Sequence, residues 1–60
     1  MMIEITPRKP VKEEKELMYI SGFDPTECEV AYRLHGIMTI YRKTDGTIHR
    51  IDERKHKEVP

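Results

Sequence analysis

Residues 37–52 read Ile37-Met38-Thr39-Ile40-Tyr41-Arg42-Lys43, then Thr44-Asp45-Gly46-Thr47, then Ile48-His49-Arg50-Ile51-Asp52. Two runs rich in β-branched residues flank an Asp-Gly pair, which is the strongest short-range signal for a β-hairpin. Asp45 and Gly46 suit the positive φ angles of a type I′ turn, so the sequence predicts two antiparallel strands joined by a two-residue loop.

A two-residue loop fixes which residues face one another across the hairpin. It predicts three opposite pairs: Thr44 with Thr47, Lys43 with Ile48, and Ile40 with Ile51. Met38 and Ile40 then share a face with Ile51, and the other face carries three residues that we take as candidate interface residues: Ile37, Tyr41 and Ile48. Because both faces are apolar, we expect each to be covered by another part of this chain or by another chain.

The length of the chain limits its stability. Sixty residues form at most one small domain, and a chain of this size buries only about 60% of the surface that it exposes when unfolded. Apolar residues make up 37% and tryptophan is absent, so the core must be thin. The single cysteine, Cys28, excludes an internal disulfide, and oligomerisation is the remaining usual source of stability.

The cellular location follows from the same composition. An unpaired thiol fits a reducing cytoplasm, no apolar run approaches the ~20 residues of a membrane span, and the N-terminus lacks the pattern of a signal peptide. We therefore expect a soluble, cytoplasmic protein without a membrane partner. The net charge is zero, but residues 1–32 carry an acidic excess and residues 33–57 a basic one.

Local signals divide the rest of the chain into an arm, a helix and a tail. Pro7 and Pro10 predict an irregular N-terminal arm over 1–11, within which Met2–Ile5 alternates weakly like a short strand. Residues 12–20 favour a helix that ends at Gly22, although 17–21 also fits a strand. Residues 54–60 are polar and predict a frayed C-terminal tail.

Residues 25–35 decide the architecture. Asp24 as a cap, Pro25 at the first position and Glu27 three residues after the cap predict a helix that ends at Gly36. Against this, residues 27–35 alternate strictly, which places Cys28, Val30, Tyr32 and Leu34 on one face of a strand. The position-specific helix signals favour an α+β domain, one or two short helices packed on an antiparallel hairpin. The alternative is an all-β three-stranded meander.

Signals for chemistry are weak. Cys28 and His35 lie seven residues apart, and His49 and His56 are further possible ligands. No paired ligands at short spacing occur, so we predict no metal site. Glu27 and Glu29 flank Cys28 and disfavour its thiolate, so we predict no catalytic residues and no enzyme. The glycines are isolated and indicate no cofactor, and the acids at 13, 14 and 16 fit a solvated helix face.

A basic cluster surrounds the turn of the hairpin and continues after it, and its candidate nucleic-acid contacts are Arg42, Lys43, Arg50 and Arg54. Two helices at 12–20 and 25–35 followed by a hairpin resemble a reduced winged helix-turn-helix, which implies a recognition helix in the major groove and a wing on the phosphates. The acidic start of that helix and the zero net charge disagree with this resemblance.

The sequence therefore predicts a small, non-enzymatic module that binds macromolecules. A protein-binding or self-associating regulator is the favoured function, with a second copy or another protein as partner. A nucleic-acid-binding regulator that uses the basic hairpin is the alternative, and no small-molecule substrate is indicated.

Overall fold

The computed structural model describes residues 7–59. One helix, α1 (Lys12–Ile20), packs on a four-stranded antiparallel sheet of β1 (Cys28–Leu34), β2 (Ile37–Arg42), β3 (Thr47–Asp52) and β4 (Lys57–Glu58). The strands lie in sequence order, so the sheet is a meander. The fold class is α+β, as predicted. The strand expected at Met2–Ile5 lies outside the described residues.

Helix α1 confirms the helix prediction for residues 12–20, and the predicted glycine, Gly22, terminates it two residues after Ile20. Gly22 has a φ of 93°, and its N–H donates to the carbonyl of Tyr19 over 3.1 Å. The N–H of Phe23 donates to the carbonyl of Met18 over 2.8 Å, which completes a Schellman motif. This turn redirects the chain so that Phe23 enters the core beside Met18.

The predicted helix at 25–35 is wrong, because Cys28–Leu34 forms strand β1. The Asp24 carboxylate accepts hydrogen bonds from the Thr26 amide and hydroxyl, at 2.9 and 2.7 Å, and so closes a turn instead of capping a helix. The β-branched and aromatic residues of this stretch favour a strand, and β1 pairs with β2. Pairing with a distant segment thus outweighs the local helix signals.

The type I′ geometry occurs between β1 and β2, not at Asp45-Gly46. Leu34 faces Ile37, and the two residues between them, His35 and Gly36, have φ angles of 51° and 78°. Two positive φ angles in a two-residue hairpin loop are characteristic of this turn type.

The hairpin of β2 and β3 is confirmed, but its predicted turn and register are wrong. The loop has four residues, 43–46, of which only Gly46 has a positive φ, and the Gly46 N–H donates to the carbonyl of Arg42 over 2.9 Å. Arg42 and Thr47 both hydrogen-bond to the Asp45 carboxylate, which stabilises the longer loop.

The observed register differs from the predicted one by two residues. Tyr41 faces Ile48 and Met38 faces Ile51, whereas the sequence predicts Ile40 opposite Ile51. Because side chains alternate with a period of two, a shift of two residues leaves every side chain on its predicted face.

The C-terminal segment also differs from the expected frayed tail over 54–60. Residues 53–56 form a second four-residue loop, and β4 pairs with β3 through Ile51 opposite Glu58 and Asp52 opposite Lys57. The Asp52 carboxylate accepts the amides of Arg54 and Lys55, at 2.9 and 3.1 Å. These hydrogen bonds hold residues 53–58 against the sheet, although the segment has few apolar side chains to bury.

The core lies between α1 and one face of the sheet. Leu17 packs against a buried cluster of seven side chains: Met18, Phe23, Cys28, Val30, Met38, Ile40 and Ile51. The face of the sheet that points away from α1 is therefore left without a covering layer among residues 7–59.

Candidate interaction surface

A β-bulge in β1 brings two further apolar side chains to the uncovered side of the sheet. Val30 faces Ile40 and Tyr32 faces Thr39, so Ala31 is an extra residue with no opposite partner. Because of this extra residue, the side chains after Ala31 point to the opposite side of the sheet from the one that strict alternation predicts. Val30 points into the core, whereas Tyr32 and Leu34 point away from it. The sequence-based strand alternative places them beside Val30, and the bulge makes that placement wrong.

We call this uncovered side of the sheet the outer face. Its apolar members are Tyr32, Leu34, Ile37, Tyr41 and Ile48, with Thr39 between them. Tyr32, Leu34 and Ile48 are 46%, 58% and 58% exposed. All three candidate interface residues from the sequence lie on this face. Neighbouring exposed apolar side chains of this kind are typical of interaction surfaces.

A shallow groove crosses the outer face. It has a volume of about 300 Å³ and is lined by Pro7, Ala31, Tyr32, Thr39, Tyr41 and Ile48. Pro7 reaches it because Arg8 pairs with Val30 through two backbone hydrogen bonds, of 2.8 and 2.9 Å. The predicted irregular arm is thus joined to the edge of β1 at Arg8.

Thr39 on the floor of the groove carries a buried hydroxyl that has no hydrogen-bond partner among the described residues. We expect Thr39→Val to stabilise the fold by about 1 kcal/mol, because the variant keeps the shape and removes an unsatisfied polar group. Urea unfolding of the parent and the variant measures this effect, provided that the m-value is the same for both proteins.

Thr47→Val is the matched control for this substitution. The Thr47 hydroxyl is hydrogen-bonded to Asp45, so its removal should lower stability. Equal destabilisation by both valines would show that the Thr39 hydroxyl is satisfied in solution.

Charged side chains flank the apolar part of the outer face. Arg50 lies opposite Thr39 on β3, and Glu29 lies opposite Tyr41 on β1. Tyr32, Thr39 and Arg50 thus form one row across three strands. Asp52 also lies on this face of β3, opposite Ile37, so the β3 side carries charges of both signs and the β1 side carries Glu29.

The candidate nucleic-acid residues do not converge on one surface. Arg42 lies on the core side of the sheet, 6.0 Å from the Phe23 ring, and pairs with Asp45 over 2.7 Å. Lys43 lies in the adjacent loop, whereas Arg50 is on the outer face and Arg54 is in the loop at the other end of β3. Without a helix at 25–35, the resemblance to a winged helix-turn-helix loses its recognition helix.

A buried carboxylate joins the arm, the helix and the sheet, and sequence reasoning missed it. Glu14 is 2% exposed, so its assignment to a solvated face is wrong. Arg8 binds both of its carboxylate oxygens, at 2.7 and 2.8 Å, and Arg33 approaches at 3.2 Å. Arg33 also pairs with Glu53. The spacing of Glu14, Leu17 and Met18 along one helix face is the sequence signal that could have found it.

The environment of Glu14 favours its ionised form. The hydrogen-bonded Arg8 guanidinium lowers the pKa of Glu14 to about 2, against the opposing effect of burial. The Val11 amide adds a hydrogen bond of 3.0 Å that also caps α1. A carboxylate at this position is therefore charged throughout the neutral range.

The residues considered for a metal site do not come together. Cys28 is buried at the start of β1, where burial raises the pKa of its thiol, and His35 lies in the turn beyond the other end of the strand. His49 is hydrogen-bonded to Thr47 and Glu58. Within residues 7–59, no three side chains of His, Cys, Asp or Glu are grouped to hold a metal ion.

Comparison with known proteins gives no assignment: no protein-family model, curated protein or solved structure matches the chain. Over residues 7–59, no helix has the length and apolar character that crossing a membrane requires. The geometry of the surface is thus the basis for any functional conclusion.

Proposed function

We propose that the protein is a small, non-enzymatic interaction module that self-associates through the outer face. The exposure of Tyr32, Leu34 and Ile48 on one face of the sheet is the observation that carries this proposal. Covering apolar surface gains about 25 cal/mol per Å², and a sixty-residue chain with a thin core has most to gain from it. A second copy supplies the missing layer without a further component.

Charge supports a second copy as the partner. The net charge of the chain is zero at pH 7, so two copies do not repel one another at long range. A two-fold axis parallel to the strands and above β2 places β1 of one copy over β3 of the other. Tyr32 and Arg50 lie in one row of the sheet. In the two-fold arrangement the Tyr32 ring of each copy would lie over the Arg50 guanidinium of the other, the geometry of a cation–π contact.

We also propose a cytoplasmic setting and a regulatory role. The single cysteine is a buried free thiol, which is compatible with a reducing compartment.

Substitution of Ile48 tests the proposed interface. We expect Ile48→Glu to raise the dissociation constant of the dimer by about tenfold or more, because it buries an unpaired charge. The matched control is Ile20→Glu on α1, since Ile48 and Ile20 are 58% and 61% exposed. Sedimentation measures both variants, and their melting curves verify that they fold.

The two variants separate the alternatives. Loss of association in Ile48→Glu alone supports the outer face. Loss of association in Ile20→Glu alone would show that the interface lies on the exposed surface of α1, and it would overturn the proposal.

A further inference from the structure

A second concavity lies on another side of the molecule, where the arm, α1 and the loop after β2 meet. It has a volume of about 340 Å³. Lys9, Lys15 and Lys43 line it, one from each of those segments, and Pro10, Pro25 and Cys28 supply apolar lining. We call it the lysine cavity. It shares no lining residue with the groove on the outer face.

The lysine cavity has an excess of positive charge. Among residues 7–59, the arginines that form ion pairs are Arg8, Arg33 and Arg42, whereas the three cavity lysines form none. Glu29 is the one carboxylate residue in the lining, so the lysines leave a net charge of plus two. All three lysines are exposed, and an anion bound between their ammonium groups would offset the mutual repulsion of those charges.

The backbone adds a hydrogen-bond donor on the same side. Val30 exchanges two backbone hydrogen bonds with Arg8, so its peptide groups face the arm. Alternate residues of a strand face the same edge, and the N–H of Cys28 therefore also points towards the arm. Pro10 lies two residues beyond Arg8 and has no N–H, so it cannot donate to the Cys28 carbonyl. The Cys28 N–H forms no backbone hydrogen bond with residues 7–11 of the arm.

We propose that the lysine cavity binds a small organic phosphate monoester. A phosphate monoester carries about −1.5 to −2 charges at pH 7, which matches the net charge of the lining. Lysine binds phosphate as a point charge, and the cavity volume falls within the ~300–1,000 Å³ of small-molecule sites. The apolar lining by Pro10, Pro25 and Cys28 receives the organic part. This site is independent of the self-association proposed for the outer face.

A titration with phenyl phosphate, followed by amide chemical shifts, tests this proposal on the full chain. We expect saturable shifts at Lys9, Thr26, Cys28 and Lys43, and weaker binding of inorganic phosphate, which lacks an apolar group. The combined variant Lys9→Gln, Lys15→Gln and Lys43→Gln should weaken phenyl phosphate binding by about tenfold or more.

A second triple variant controls for overall charge: Lys12→Gln, Lys55→Gln and Lys57→Gln. These lysines do not line the cavity, and the variant removes the same number of charges. It should change the affinity less than about twofold. Equal weakening by both variants, or shifts that never saturate, would overturn the proposal, because the lysines would then act only as solvated edge protection.

An oligonucleotide without a terminal phosphate tests the source of the phosphate. Failure of this oligonucleotide to displace phenyl phosphate supports a small monoester. Displacement at lower concentration than inorganic phosphate would assign the cavity to a nucleic-acid backbone and overturn the small-ligand proposal.

Discussion

Ile51→Ala should lower the free energy of unfolding by about 2 to 5 kcal/mol, because it leaves a cavity at a position that is fully buried against Met38. A sixty-residue domain has a total stability of about 3 to 9 kcal/mol, so this loss is a large fraction of it and should lower the urea midpoint strongly. Urea unfolding followed by circular dichroism measures the loss.

Ile48→Ala is the matched control, three residues earlier on the same strand. Its side chain is 58% exposed on the outer face, so truncation should cost less than about 1 kcal/mol in the monomer. Comparable losses for the two variants at low protein concentration would contradict the assignment of core and outer face.

Glu14→Gln should lower stability at pH 7 by about 2 kcal/mol. Loss of one partner of a buried ion pair costs about 3 to 5 kcal/mol, and we expect less here because the Arg8 and Arg33 side chains are 52% and 42% exposed. The exposed neighbour Glu13 provides the control, and Glu13→Gln should have little effect.

The effect of Glu14→Gln should depend on pH. The pKa of Glu14 falls from its ordinary 4.5 to about 2 in the folded protein, so the carboxylate contributes fully above pH 4.5 and its contribution is lost as the pH falls towards 2. The stability difference between the parent and Glu14→Gln should shrink across that window. A constant difference from pH 7 to pH 2 would contradict the folded-state ion pair.

Local sequence signals predicted the elements that local interactions determine. The hairpin of β2 and β3 and the helix that ends at Gly22 are correct, because alternation and a C-terminal glycine act within a few residues. The prediction of a type I′ turn at Asp45 was wrong, because a short carboxylate side chain can accept hydrogen bonds in several loop geometries. Here the Asp45 carboxylate accepts hydrogen bonds from Arg42 and Thr47 within a four-residue loop.

Residues 25–35 could not be assigned locally. Asp24 can accept hydrogen bonds either as a helix cap or within a short turn. It forms the turn here because the residues that follow pair with β2 as a strand. The contact of Glu14 with Arg33 joins residues that are nineteen apart in the chain. No pattern within one element encodes such a pairing.

The candidate surface was predictable only in part. Ile37, Tyr41 and Ile48 follow from strict alternation in the hairpin. Tyr32 and Leu34 join them only because Ala31 forms a bulge, and a bulge depends on the pairing of two strands rather than on one residue.

The molar mass in solution, measured by sedimentation over a wide concentration range, tests self-association most directly. We expect the mass to rise from 7.2 kDa towards roughly twice that value as concentration increases. The association should change little with salt or added oligonucleotide, because an apolar interface is weakly screened. A mass of 7.2 kDa at every concentration, with a melting temperature that does not depend on concentration, would contradict the account.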